Sequence, residues 1–393
     1  MVVESGMNTF AELDAISLSM LQAGRGTKWI SGGDSIGAFI AEMDFGIAPV
    51  ITEALHASVR KGEFGYHPGD AIAELSSVTA DWLSRNYHWQ VAPADIRPMP
   101  DVIRALEFAI EHLIRPESKI IVPTPAYSPF IIVPPMLGRE VIEVPMNHTD
   151  GLYKMDLAGL QRAFNKGGEL LILCNPHNPS GRVFNRDELL ALEKLVEHNG
   201  GHVFADEIWA PMTFPGHQHI PYASISDSAA ARSITAISAS KAWNLPGLKC
   251  AQVITTSDRD RSQWAKFGPL AEHGTANLGI VASIAAYRDG EPWRASIMAY
   301  LDRNRRSLDE LISIHLPQVR YREPEGTYVG WLDFRRTAAA ANPASYLEKR
   351  ANVKLSEGVE CGASGAGFVR LIIATPHPIL ELAITRMSGA LDI

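Results

Sequence analysis

Short apolar runs alternate with amphipathic stretches over most of the chain. Lys119–Pro123, Glu169–Cys174, His202–Ala205, Ser233–Ser238 and Ala251–Thr255 are apolar on both faces. That pattern predicts strands of a parallel sheet covered on both sides. A helix is predicted between the second and third of them. Asn185 caps it, Asp187 and Glu188 fill its first turn, and Leu189, Leu190, Leu192 and Leu195 form its apolar face. Gly200 and Gly201 close it. Strand, helix, strand is a βαβ unit. A second helix is predicted over Pro100–Leu113, where Val102, Leu106, Ala109, Ile110 and Leu113 recur at helical spacing. Beyond about Gly290 the texture changes to a long charged helix (Trp293–Leu311), an extended stretch (Thr327–Phe334) and a final amphipathic helix (Pro378–Met387). The expected fold class is α/β. Residues 48–285 form a large domain with a mostly parallel sheet covered by helices. Residues 286–393, joined by the N-terminal segment 1–47, form a smaller α+β domain.

Composition narrows the function classes. The 393 residues carry 36 Lys+Arg against 44 Asp+Glu, a formal charge of −8, with 46% hydrophobic residues. This is globular usage, and the acidic balance argues against a nucleic-acid surface, which needs clustered cations. No apolar run approaches the roughly 18–20 residues of a membrane helix. The N-terminus lacks a basic region followed by an apolar one, so no secretory signal is expected. Three widely spaced cysteines (174, 250, 361) give neither a disulfide framework nor a metal pair. A cytoplasmic protein without nucleic-acid or membrane partners is the expectation.

There is no phosphate loop of the GxxxxGKS/T type and no HExxH. The Gly362–Gly367 run has the wrong order for a dinucleotide fingerprint. Three other segments stand at the carboxyl ends of predicted strands: Cys174–Arg182 (CNPHNPSGR), Phe204–Glu207 (FADE) and Ser238–Lys249 (SASKAWNLPGLK). In open α/β sheets that edge is where ligands bind. A lysine amine freed of its proton can condense with an aldehyde cofactor, and desolvation or nearby cations lower the pKa that opposes this. Ser238, Ser240 and Lys249 suit a phosphate near Lys241. Asp206 suits a protonated pyridine nitrogen, and Asn178 can donate to a phenolic oxygen. Singly, each residue has a plain reading as turn, cap or solvated charge. The joint pattern describes pyridoxal phosphate chemistry. Residues 178 and 206 are 28 apart and 206 and 241 are 35 apart, each about one strand–helix unit.

At these residues the chain resembles the fold-type I pyridoxal-phosphate enzymes, the aspartate aminotransferase superfamily. It most resembles the cystathionine β-lyase (C–S lyase) branch, the MalY/PatB family. Lys28-Trp29, Ala41–Phe45 (AEMDF), Gly62–Tyr66 (GEFGY), Cys174–Phe184, Ser238–Lys249, Glu325–Phe334 and Phe368–Arg370 carry the likeness. The resemblance implies that Lys241 is the Schiff-base lysine, Asp206 the pyridinium partner and Asn178 the donor to the ring hydroxyl. It implies that Tyr127 stacks on the cofactor and that Arg370 grips the substrate α-carboxylate, with Asn178 at the same substrate site. The backbone N–H groups of Val102 and Ile103, at a helix start, would bind the phosphate. Tyr66 would reach the phosphate of a neighbouring subunit, which implies a homodimer with shared active sites.

Four positions depart from the family pattern. Trp209 stands where relatives carry Tyr or His, so it faces the cofactor with a donor and no acceptor. Lys249 replaces a common Arg. Asp101 replaces a common Gly, and its carboxylate repels a phosphate unless it turns to cap the helix. Ile372 replaces a frequent Asn beside Arg370. The resemblance to this branch implies α,β-elimination from L-cystathionine or related cysteine S-conjugates, releasing thiol, pyruvate and ammonia. The alternatives are amino transfer to a 2-oxo acid and a weakly catalytic, cofactor-binding regulatory protein.

Overall fold

The computed structural model describes residues 9–24, 26–30, 34–66 and 69–391. A seven-stranded sheet holds β1 (Ile96–Met99), β2 (Lys119–Thr124), β3 (Val141–Pro145), β4 (Gly168–Cys174), β5 (His202–Asp206), β6 (Ser233–Ile237) and β7 (Ala251–Thr255). Their spatial order is β1-β7-β6-β5-β4-β2-β3. The strands from β3 to β6 pair in parallel, whereas β7 runs antiparallel to both β6 and β1. The sheet is therefore mixed at this edge, which corrects the expectation of a parallel Ala251–Thr255 strand.

The strands are apolar on both faces because both faces are covered. Leu170 and Ile172 of β4 enter one core with Phe204, Ile234 and Val253. Leu171 and Leu173 enter a second core with Val203 and Ala205. The period of two in a strand produces this division. β1 and β3 lie at the sheet's two edges. Pro98 in β1 lacks the N–H that a central strand needs, and an edge tolerates that loss.

The helix after β4 spans Arg186–His198 and begins with a full capping box between Asn185 and Glu188. The helix after β1 spans Val102–His112 and is capped by the Asp101 side chain. The long charged helix runs from Glu291 to His315, and the final helix from His377 to Ala390.

A second, antiparallel sheet is built from β8 (Arg320–Tyr321), β9 (Val329–Asp333), β10 (Ser356–Glu357) and β11 (Phe368–Ile372), in the order β8-β9-β11-β10. Leu332, Val369 and Leu371 pack with Leu308 and Ile312 of the long helix. Alternation turns Trp331 and Arg370, which are register partners, to the opposite face. Ile36–Gly37 pairs in parallel with Val353–Lys354 in a separate two-stranded sheet.

Candidate active site

Asp206 ends β5, and its ladder partners are Cys174 at the end of β4 and Ala236 on β6. The three chemically distinctive segments therefore leave the sheet side by side. They open onto a cavity of about 450 Å³ lined by Tyr127, Asn178, Asp206, Trp209, Lys241 and Arg370. Val102, Ile103, Ser238, Ser240 and Lys249 line it as well. Eleven of the twelve candidate side chains converge there. Tyr66 does not: it is 87% exposed, with its ring 5.3 Å from His273.

Burial sets the charges. Loss of hydration pushes the Asp206 carboxyl up to about 7, and neighbouring Glu207 adds to the rise. The Ile208 N–H, bonded to Oδ1 at 3.0 Å, and the charge of Lys241 oppose it. Burial brings the Lys241 amine down to about 8, and Arg370 lowers it further against Glu42 and Asp206. This lysine therefore sheds its proton far more readily than an ordinary lysine. Its Nζ donates to the Ala41 carbonyl at 2.9 Å and lies 5.7 Å from the Trp209 ring centroid. Trp209 is buried and meets Tyr328 edge-on at 4.6 Å. The Tyr127 hydroxyl is raised by burial and senses both Arg370 and Asp206.

Arg370 gives Nη2 to the Phe39 carbonyl at 3.1 Å and to Ser356 Oγ at 3.2 Å. Its Nη1 faces Asn178 Oδ1 at 3.4 Å, which leaves the Asn178 amide nitrogen for the cavity. Its Nε is buried without a partner among the described residues. A guanidinium with an unused buried donor is suited to an incoming carboxylate.

One expectation changes among the residues expected at the phosphate. The Ser238 hydroxyl donates to the Cys250 carbonyl at 2.7 Å and accepts the Ser240 N–H at 3.1 Å. Its one proton is thus engaged within the protein, and Ser238 braces the Lys241 turn in place of donating to an anion. Lys249 pairs with Asp101 Oδ2 at 2.8 Å, while Asp101 Oδ1 accepts the Arg104 N–H. Asp101 has therefore turned to cap the helix, leaving the N–H groups of the first turn free of intrahelical partners.

Sequence reasoning missed Phe39, Ala41, Cys174 and Ser356 as cavity residues. Ala41 carries a signal only through the AEMDF segment. Phe39 and Ala41 contribute backbone carbonyls, which leave no trace in residue type.

The residues fit pyridoxal phosphate. The cavity offers an amine of lowered pKa, a buried carboxyl with no ion-pair partner among the described residues, and an amide donor. It also holds a helix start with open N–H groups and the unpaired donor of Arg370. Among the described residues no group of three or more His, Cys, Asp or Glu side chains can hold a metal. No described helix is long and apolar enough to cross a membrane.

Comparison with known proteins agrees with this geometry. Cystathionine beta-lyase PatB of Bacillus subtilis is 33% identical over 93% of this chain and 96% of its own. Aspartate aminotransferase of the same organism is 26% identical over 91% of each. The crystal structure of cystalysin from Treponema denticola, which contains pyridoxal 5′-phosphate, superposes with a TM-score of 0.90 at 25% identity, covering 100% of this chain and 99% of that one. The family model for aminotransferase class I and II matches residues 40–386. With that match and a relative one-third identical over nearly its full length, the chain belongs to the aminotransferase class I and II family.

Proposed function

We propose that the protein is a pyridoxal-phosphate-dependent carbon–sulfur β-lyase acting on L-cystathionine or related cysteine S-conjugates. The observation that carries this reading is the convergence of Asn178, Asp206, Lys241 and Arg370 on one cavity. The choice of elimination over amino transfer is supported by the higher identity to a cystathionine beta-lyase than to an aspartate aminotransferase.

When bound, pyridoxal phosphate supplies an aldehyde that captures the substrate nitrogen and a pyridine ring that takes up the electron pair released at Cα. The chain's residues do the rest. Arg370 binds the α-carboxylate and orients the Cα–H bond toward Lys241. Lys241 Nζ, held next to the cavity by the Ala41 carbonyl, removes the α-proton as general base. The same amine can pass a proton to the departing sulfur. Asp206, as a carboxylate, keeps a proton on the ring nitrogen, and Asn178 donates to the ring oxygen. Trp209 would meet the cofactor with a donor only. Tyr127 would cover the ring, and Val102, Ile103, Ser240 and Lys249 would hold the phosphate. Loss of the α-proton and the β-thiolate leaves a three-carbon fragment that water converts to pyruvate and ammonia.

The division into residues 48–285 and residues 1–47 with 286–393 is part of the same proposal. So are a homodimer in which Tyr66 reaches the partner's phosphate site and a cytoplasmic location. The exposure of Tyr66 supports the first of these, and three buried free cysteines support a reducing compartment. The test is purified holoprotein with L-cystathionine as the sole substrate. Pyruvate and thiol formed without any 2-oxo acid support the lyase. Turnover only with an added 2-oxo acid overturns it in favour of amino transfer, and release of no product from any amino acid favours a regulatory role.

A further inference from the structure

Lys28-Trp29 and Ala41–Phe45 carried the family likeness, yet apart from the Ala41 carbonyl neither has a role in the chemistry above. In the structure they are one unit. Lys28 Nζ pairs with Asp44 Oδ2 at 2.7 Å, with the two side chains only 1% and 3% exposed. Trp29 Nε1 donates to the other carboxylate oxygen at 2.8 Å. Gly37 lies against Lys28 so closely that a Cβ there would stand 2.1 Å from the Lys28 carbonyl oxygen. The segment is tied to the second sheet by Ile372 N–H to the Ala38 carbonyl and Asp44 N–H to the Ala374 carbonyl. It is tied to the lysine turn by Asn244, which bonds both the N–H and the carbonyl of Met43 at 2.9 Å.

Two carbonyls of this segment hold two of the cavity's cations, Arg370 and Lys241. The Phe39 carbonyl accepts from Arg370 Nη2 and from Ser356 Oγ, each at 3.1 Å. Because Ser356 Oγ also accepts from Arg370 Nη2, the three groups close a triangle. The Ala41 carbonyl accepts from Lys241 Nζ at 2.9 Å and from Tyr328 Oη at 3.0 Å.

We propose that residues 39–44 form a positioning strap that sets the spacing between the Lys241 amine and the Arg370 guanidinium, with Ser356 and Tyr328 as its two fasteners. Ser356 gives Arg370 the polar side-chain support that the buried, apolar Ile372 cannot. The proposal rests on the reading of Lys241 as base and Arg370 as carboxylate clamp, and it makes Ser356 and Tyr328 positioning residues.

The test separates the fasteners. Propionate binding to the holoprotein, measured by calorimetry, reports on Arg370 without turnover. Ser356→Ala should weaken it about tenfold, equivalent to about 1.4 kcal/mol, and Ser356→Thr should restore it. Tyr328→Phe should leave propionate binding unchanged. It should move the rising limb of the kcat–pH profile to higher pH, because the Ala41 carbonyl, relieved of one donor, stabilises the ammonium better. Gly37→Ala, which forces the strap off Lys28, should change both readouts together. Unchanged propionate binding in Ser356→Ala, or equal weakening in Tyr328→Phe, overturns the strap. Failure of the lyase reading is distinguishable, since wild type would then make no pyruvate while the propionate results stood.

Discussion

Asp206→Asn tests how the buried carboxyl acts. Burial raises this group from 3.8 to about 7, so ionising it in the protein alone costs about 4 kcal/mol more than in water. A cationic ring nitrogen beside it would offset that cost, and the neutral amide of Asn cannot form the same charge pair. If most of this energy acts on the proton at the ring nitrogen, kcat falls by up to about a thousandfold, since each 1.36 kcal/mol is tenfold in rate. The assay is pyruvate release from L-cystathionine by protein loaded with pyridoxal phosphate. It is repeated with a deaza cofactor in which the ring nitrogen is a CH group. Asn at 206 should cost little more with the deaza cofactor, because no ring proton remains to be held. Equal losses with both cofactors, or a kcat near wild type with the natural one, would refute the assigned role.

The lowered Lys241 pKa predicts the pH dependence of cofactor uptake. The amine gains reactivity as it sheds its proton, so the initial rate of cofactor capture by cofactor-stripped protein should rise through about pH 8 and then level, as followed by visible absorbance. A profile still climbing steeply at pH 10 would mean the amine is unperturbed. Mixing Tyr66→Ala with Lys241→Ala, each inactive alone, should restore activity through mixed dimers holding one intact site, whereas independent sites would regain none. Asn185→Ala removes the cap of the Arg186–His198 helix and should lower stability by about 1 kcal/mol in urea unfolding, with kinetics unchanged. Lys249→Ala should cost well under 1 kcal/mol of stability, since its ion pair with Asp101 is more than half exposed on the lysine side, and its effect should appear in cofactor affinity.

The central strands were legible because they are buried on both faces, so no polar position interrupts Leu170–Cys174 or Val203–Ala205. The edge strands were not: β1 contains Pro98, and β3 ends in Pro145 with three of its first four residues only partly buried or exposed. The direction of β7 is also absent from its composition, since a covered antiparallel strand reads like a parallel one. At the site, Lys241, Asp206 and Asn178 were legible because side-chain chemistry and strand-end spacing coincide. Ser356 and the Phe39 and Ala41 carbonyls were not, because they act through register and backbone. Ser238 was legible as a cavity residue, but its donation to Cys250 depends on the turn's three-dimensional path.

The central claim is that position 241 carries the amine that holds the cofactor, above Asp206 and beside Asn178. Borohydride reduction of the holoprotein, followed by proteolysis and mass spectrometry, tests it most directly. The account predicts one pyridoxyl group per chain, on the peptide containing Lys241, and none in Lys241→Ala. A pyridoxyl group on any other lysine, or its persistence in that variant, would contradict it.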